Sequence, residues 1–543
     1  MRNIFKFSLI ALILLVASSV DAQKQVAKSV FKITTYKADG TEIAQTEGFF
    51  TSANEAVATW KPFVSATKAV AVDAKGKRYD VTALLGASEI YNMCKFRVYG
   101  NGTPVKTAVT AVAANATAYI VDADGKTTPV KVESADKFMD KYNYYLIDKQ
   151  DDALEGCPVV DKQGNVIGIY GSGSSPSATD VRMTETFKLT GLSINDPVMR
   201  TSGIRVALPA DENDALLMMI LSANQGDSLR HDAYVNDFLM QFPQSAEGYL
   251  QKATAYVAGN NFDAADEVLA EGVKKAAKKD EAHYNYAKVV YEKEVYNKTP
   301  YEKWSLQKAY DEAALANQEK PQAVYQHLQA QIQYAMKDYA KAYDAFLALT
   351  KDTAFVNGEL YYEAAQCLVQ QNKDTAEVMA MLDKAVNCRP VSPATAPYYL
   401  ARGRYLESLG KYRRAILDYN RYDSLMAGRA GDDFYYMRYA CELEAHLYQQ
   451  ALNDIAHAIV INRNEPSYYA EMAQLQVSVR YYDDALKTTA LGLQLFPDYA
   501  DLYLVKGLAQ VLSGKKAEGL QTFAEAKQHG AGEKADQLIE KYK

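Results

Sequence analysis

One short pattern returns at a near-constant interval through the second half of the chain, and that interval limits the fold more than composition does. It is an aromatic, two polar or small residues, an Ala and then a mostly apolar stretch. It reads Asn261-Phe262-Asp263-Ala264-Ala265, Asp338-Tyr339-Ala340-Lys341-Ala342, Lys411-Tyr412-Arg413-Arg414-Ala415, Leu447-Tyr448-Gln449-Gln450-Ala451 and Tyr481-Tyr482-Asp483-Asp484-Ala485. The steps from Tyr412 to Tyr448 and from Tyr448 to Tyr482 are 36 and 34 residues. One more such step reaches Lys516 in a degenerate copy, Gly514-Lys515-Lys516-Ala517. The gaps from Phe262 to Tyr339 and from Tyr339 to Tyr412 are about twice as long, so each holds one weaker unit, around Trp304–Ala314 and Ala376–Ala385. A period of this length predicts two antiparallel helices per unit. One pair cannot bury its apolar face alone, so neighbours stack.

Gly403 and Tyr405, preceded by Tyr399, supply the small and aromatic positions of a first helix, and the Ala-rich stretches supply a second. Pro243, Pro321, Pro390, Pro466 and Pro497 punctuate the units, and Phe242-Pro243 with Ala246 and Tyr249 repeats the spacing of Phe496-Pro497 with Ala500 and Tyr503. This half resembles the tetratricopeptide repeat family. The resemblance implies about eight units over residues 246–543 in an all-α superhelix, with a concave groove for a peptide or partner protein.

The start of the chain reads as a secretory signal over residues 1–22. Arg2 and Lys6 precede the apolar run Ser8–Val16, and Val20-Asp21-Ala22 places small residues before Gln23. The run is short for a membrane span, no later segment is apolar enough, and no Cys follows as in a lipoprotein. The expected location is periplasmic or secreted. With a formal net charge of -7 and scattered Lys and Arg, no nucleic-acid partner is expected. The five Cys, at 94, 157, 367, 388 and 441, show no CxxC spacing, so neither a metal nor a cofactor is expected.

Residues 23–210 change period. Ser29–Tyr36 alternates as a strand, and further strands read at Gly48–Phe50, Ala56–Trp60, Ala69–Val72, Asp80–Leu84, Ala118–Val121, Tyr144–Ile147 and Val166–Tyr170, with a last one at Gly203–Leu208. Short strands at this spacing indicate a barrel or sandwich. Their order narrows the choice. Gly48-Phe49-Phe50 leads to Thr59-Trp60-Lys61, then Tyr91-Asn92-Met93-Cys94, then Glu155-Gly156-Cys157-Pro158 and Gly164-Asn165-Val166-Ile167-Gly168-Ile169. This order resembles the trypsin-like serine proteases of the exported bacterial kind, which implies a double β-barrel. The resemblance puts Lys61 at the His position, Asn92 at the Asp position and Glu155 at the Ser position.

Acyl transfer on that scaffold needs a hydroxyl nucleophile, an imidazole and an orienting carboxylate. All six His, at 231, 283, 327, 446, 457 and 529, follow the β region. No catalytic residue is therefore expected; Lys61, Asn92 and Glu155 are degenerate positions, and a Lys61–Glu155 ion pair could replace the lost His–Ser contact. Cys157 reads as a small buried filler rather than a nucleophile. Gly171-Ser172-Gly173-Ser174-Ser175-Pro176 reads as a flexible loop. Residues 211–245 read as a connecting helical pair, Ala215–Ala223 and Asp232–Gln241, with Asp211–Asp214 capping its start. No Gly/Ser linker intervenes, so rigid packing of the domains is expected.

These readings give a non-catalytic, exported protein-interaction scaffold with an inactive protease-like domain as second docking module. Its partner would be a protein or peptide, with a place in an outer-membrane-associated complex. The fusion is similar to exported proteins of the Bacteroides kind. The alternatives are a periplasmic chaperone for outer-membrane clients and a protease with an unconventional site at Lys61 or Cys157.

Overall fold

The computed structural model describes residues 22–388 and 390–543. The expected signal segment therefore lies outside the described residues, apart from Ala22. Two compact units divide at Val289/Val290.

The first unit opens with twelve strands: β1 Val30–Tyr36, β2 Glu42–Phe50, β3 Glu55–Ala58, β4 Lys68–Asp73, β5 Arg78–Ser88, β6 Met93–Val98, β7 Thr117–Val121, β8 Thr127–Phe138, β9 Tyr142–Ile147, β10 Pro158–Val160, β11 Val166–Gly171 and β12 Ser177–Thr179. They close two antiparallel barrels of six strands, in the orders β1-β2-β3-β6-β5-β4 and β10-β11-β12-β9-β8-β7. Closure leaves no free sheet edge.

Alternation along β2 divides its two phenylalanines between cores. Phe50 enters the first barrel and meets Phe31 edge-on, with ring centroids 4.8 Å apart. Phe49 points the other way, into a cluster shared with Val57 and Met93 of the first barrel and Val121, Tyr142 and Val166 of the second. Each fully buried ring contributes about 2–3 kcal/mol through apolar burial, so the seam between the barrels is itself a core.

The stretch Gly203–Leu208 is not a strand. It makes a single parallel bridge, Val206 to Leu84, because β5 already pairs with β4 and β6. Two helices follow, α1 Glu212–Ala223 and α2 Ser228–Gln241. The Asp211 carboxylate caps α1 by accepting from the N–H groups of Asn213 and Asp214. Met218, Met219, Tyr234, Val235 and Phe238 complete the first barrel's cluster around Leu84, Ile204 and Val206. The connecting pair is thus docked on the barrel.

The helices then run α3 Ala246–Ala258, α4 Phe262–Lys275, α5 Lys279–Tyr296, α6 Leu306–Glu319, α7 Ala323–Ala335, α8 Tyr339–Leu349, α9 Gly358–Gln370, α10 Thr375–Asn387, α11 Ala396–Ser408, α12 Tyr412–Met426, α13 Asp432–Glu444, α14 Tyr448–Ile461, α15 Pro466–Ser478, α16 Tyr482–Leu495, α17 Ala500–Leu512, α18 Lys516–Gln528 and α19 Gly532–Tyr542. The chain is a β double barrel followed by an all-α array, and no described helix is long and apolar enough to cross a membrane.

Counting from α3, the odd-numbered helices are the first (A) and the even-numbered the second (B) of each pair, and in the second unit α8, α10, α12, α14, α16 and α18 fold back on the A helices before them. A residue with positive φ stands two places ahead of most B helices: Lys337, Gly410, His446, Arg480 and Gly514. This left-handed residue ends the A helix and turns the chain. Small residues on A helices let B-helix rings approach closely. A Cβ on Gly403 would lie 2.5 Å from the Tyr419 ring, and one on Gly507 would lie 2.6 Å from Phe523.

Charged groups also repeat. Arg402 of α11 binds Asp418 of α12 through Nε at 2.8 Å and Nη2 at 2.6 Å. Arg438 of α13, one repeat further on, binds Asp454 of α14 through Nε at 2.6 Å and Nη2 at 2.9 Å.

Candidate functional site

Three turns bring Lys61, Asn92 and Glu155 together. Lys61 opens a 3-10 turn over Lys61–Phe63 just after β3, with Pro62 fixing its start. Asn92 precedes β6 with φ 44°, a left-handed backbone that Asn tolerates. Glu155 follows the 3-10 turn Asp152–Leu154, and Gly156 after it has φ 85°. A Cβ on Gly156 would lie 2.1 Å from the Glu47 carbonyl oxygen, so this turn requires glycine.

Asn92 is the hub. Its Oδ1 accepts the Lys61 backbone N–H at 2.9 Å, and its Nδ2 donates to Glu155 Oε1 at 3.2 Å. Glu155 Oε2 accepts the Ser172 backbone N–H at 2.5 Å. The Glu155 carbonyl receives Thr46 Oγ1 at 2.9 Å and the Glu47 N–H at 3.2 Å, which ties the second barrel's turn to β2 of the first.

The expected Lys61–Glu155 ion pair does not form: both carboxylate oxygens are taken by neutral donors, Asn92 and Ser172. Lys61 is exposed instead. Solvation leaves little to gain from pairing it. The segment after β11 is also more than a flexible loop. Ser172 is tethered at its start, and β12 begins at Ser177, hydrogen-bonded between β11 and β9.

The turn leading to Glu155 holds two backbone N–H groups two residues apart, a spacing that can build an oxyanion hole when both are free. Here Ala153 N–H donates to Asp151 Oδ1 at 3.2 Å and Glu155 N–H donates to the Asp152 carbonyl at 3.3 Å. Both are committed within their own turn.

The three positions line a cleft of about 690 Å³ between the barrels, together with Lys32, Thr46 and Glu47. A smaller cavity of about 310 Å³ lies on the other side of Glu155, walled by Tyr91, Tyr144 and Tyr170.

Glu47 is the functional-looking residue that sequence reasoning missed. It is buried at the barrel junction, where its Oε2 accepts the Ala123 N–H at 2.8 Å and the Cys157 thiol at 3.1 Å. Burial raises its carboxyl above the ordinary range, against the pull of those two donors. Cys157 is fully buried, and burial followed by the Glu47 charge pushes its thiol far up. The available signal was a Glu two places before Phe49 on the same face of β2, where alternation asks for an inward side chain.

In the second unit, A helices α15, α17 and α19 line a groove of about 540 Å³. Its floor includes Ala470, Leu504 and Leu538, which occupy the same position in successive repeats.

Compared with protein-family models and with curated proteins, the sequence matches none.

Proposed function

We propose that the protein is a non-catalytic, exported interaction scaffold of trypsin-like and tetratricopeptide-like modules. The array would hold a protein or peptide through its A-helix groove, and the inter-barrel cleft would serve as a second docking face.

The observation that carries this reading is the hydrogen-bonded set Lys61–Asn92–Glu155–Ser172 where a proton shuttle would stand. It contains no imidazole to take a proton near neutrality. Its one hydroxyl residue, Ser172, meets the Glu155 carboxylate through its backbone N–H rather than its hydroxyl, and the nearest backbone donors are engaged in their own turn. Cys157, the remaining nucleophile, is buried with a raised pKa and a carboxylate acceptor, the opposite of an activated thiol.

The test is a peptide-hydrolysis assay on purified full-length protein, beside native copurification. Cleavage that disappears on changing Glu155 or Cys157 would overturn the reading. The scaffold reading expects no turnover and a protein that copurifies stoichiometrically. Placement in the periplasm or outside the cell rests on residues 1–22 and is tested by fractionation.

A further inference from the structure

The A-helix groove carries an uneven charge. Glu471 and Asp501 line its described cavity, with Lys534 and Lys541 at the α19 end. Lys534 is held by Asp501 at 3.2 Å, so that end is nearly balanced. Counting back one repeat at a time from Asp501 passes Ser467 and reaches Asp433 on α13. Earlier A helices bring Arg404 on α11 and Glu359 and Glu363 on α9 to this side. The contacts confirm that these helices adjoin. Arg404 Nε lies 3.3 Å from Met437 Sδ, the Tyr362 and Tyr398 rings are 5.7 Å apart, and Tyr436 and Tyr468 are 5.1 Å apart.

Glu363 is held by His327 at 2.5 Å and by Gln331 at 2.7 Å. Among the described residues, the ion pairs of this unit do not reach Glu359, Asp433 or Glu471. Glu471 lines the described cavity and repeat spacing puts Glu359 and Asp433 on the same side; none of the three is in a described ion pair, and from α9 to α15 Arg404 is the cation the spacing sets among them. Between them stand tyrosine faces and the apolar floor. Glu359 and Asp433 are exposed and Glu471 is half-buried, so each acts over about a Debye length and together they favour a cation in the groove, and Lys or Arg stems pack well on aromatic faces.

We propose that the groove from α9 to α17 takes a basic segment of a partner protein, with apolar side chains seated between its Lys and Arg residues. This rests on reading the array as a docking surface and adds the chemistry of the occupant. The Tyr398 hydroxyl is consistent with it: burial first, then Glu359 and Glu363, push it up to about 12.

The experiment is selection of a random twelve-residue phage-displayed peptide library on immobilised full-length protein. The winners are then measured by fluorescence anisotropy against two double variants. One reverses groove charges, Glu359→Lys with Glu471→Lys. The other reverses exposed acids on B helices, Asp483→Lys with Glu518→Lys. The expected winners combine Lys or Arg with apolar residues, and bind at least tenfold more weakly to the groove variant but within twofold of wild type to the other. Neutral or acidic winners that a Leu504→Asp change releases would overturn the charge assignment and leave the groove reading standing. Absence of enrichment, or equal losses in both double variants, would overturn both.

Discussion

Asn92 Nδ2 donates to Glu155 Oε1 at 3.2 Å, across the cleft between the two barrels. The same side chain holds the Lys61 backbone N–H at 2.9 Å, so one neutral amide fixes both neighbours. Asn92→Gly keeps the positive φ and loses only these bonds, for about 1–2 kcal/mol. Asn92→Ala adds the left-handed backbone strain, about 1 kcal/mol more. Asn92→Asp retains the bond to Lys61 but sets a second carboxylate against Glu155. Its thermal midpoint should fall below wild type at pH 8 and recover towards it at pH 4, because two carboxylates held together take up a proton more readily than either alone. Calorimetry at the two pH values checks the order.

Cys157 should resist alkylation in the native protein. Its thiol is buried, donates to Glu47 and is pushed far up, so almost no thiolate exists at pH 8. Iodoacetamide should label it at least 100-fold more slowly than after denaturation, as read by peptide mass spectrometry.

Glu442 should make the array's stability fall as pH rises. Gln476 accepts from Thr488 at 2.9 Å, and Gln510 accepts from Thr522 at 2.7 Å. Counting back one repeat from Gln476 and Thr488 gives Glu442 and Asp454. Glu442 is buried, its Oε2 has no hydrogen-bond partner, and burial, then Asp454, push it up to about 8, against the pull of Arg438. Below the ordinary carboxylate range Glu442 is neutral both folded and unfolded, and burial costs little. From there up through about pH 8 the unfolded chain alone is ionised, so stability is lost. Glu442→Gln should leave stability near wild type at pH 5 and raise it by about 2 kcal/mol at pH 9. Urea titrations of full-length protein at both pH values measure this.

Arg438→Ala should be worse than Arg402→Ala. The Arg438 side chain is 9% exposed and serves Asp454 and also Asp423 at 3.1 Å. Removing it strands buried carboxylates, at about 3–5 kcal/mol. The Arg402 side chain is 19% exposed, and its second partner Asp383 is half solvated, so its loss should cost roughly half as much. Denaturant midpoints of the two variants decide the order.

The array was highly legible because its signal is periodic. Phe262, Tyr339, Tyr412, Tyr448, Tyr482 and Lys516 are each the first residue of a B helix. The inferred weaker units correspond to α6 and α10. The barrels were legible where one face of a strand is buried, as in β1. They were not at β8, whose Lys, Glu and Asp residues face solvent, or at β12, only three residues long. Residues 203–208 read as a strand because they are apolar, yet their burial comes from α1 and α2. At the cleft, the order of segments located Lys61, Asn92 and Glu155. The partner of Glu155 was misread because opposite charges in sequence carry no distances, whereas the Ser172 N–H becomes a neighbour only once β11 is in place.

The left-handed residue that closes most A helices has a consequence for evolution. Cutting after His446 and rejoining at Tyr481 would remove one whole repeat and graft α13 onto α16 through an equivalent corner. Thr488 would stand where Asp454 does, so the backbone register would be kept while Arg438 lost that carboxylate. A lineage can therefore lengthen or shorten this ruler by whole notches, changing the reach of its grip at the cost of refitting the side chains of one joint.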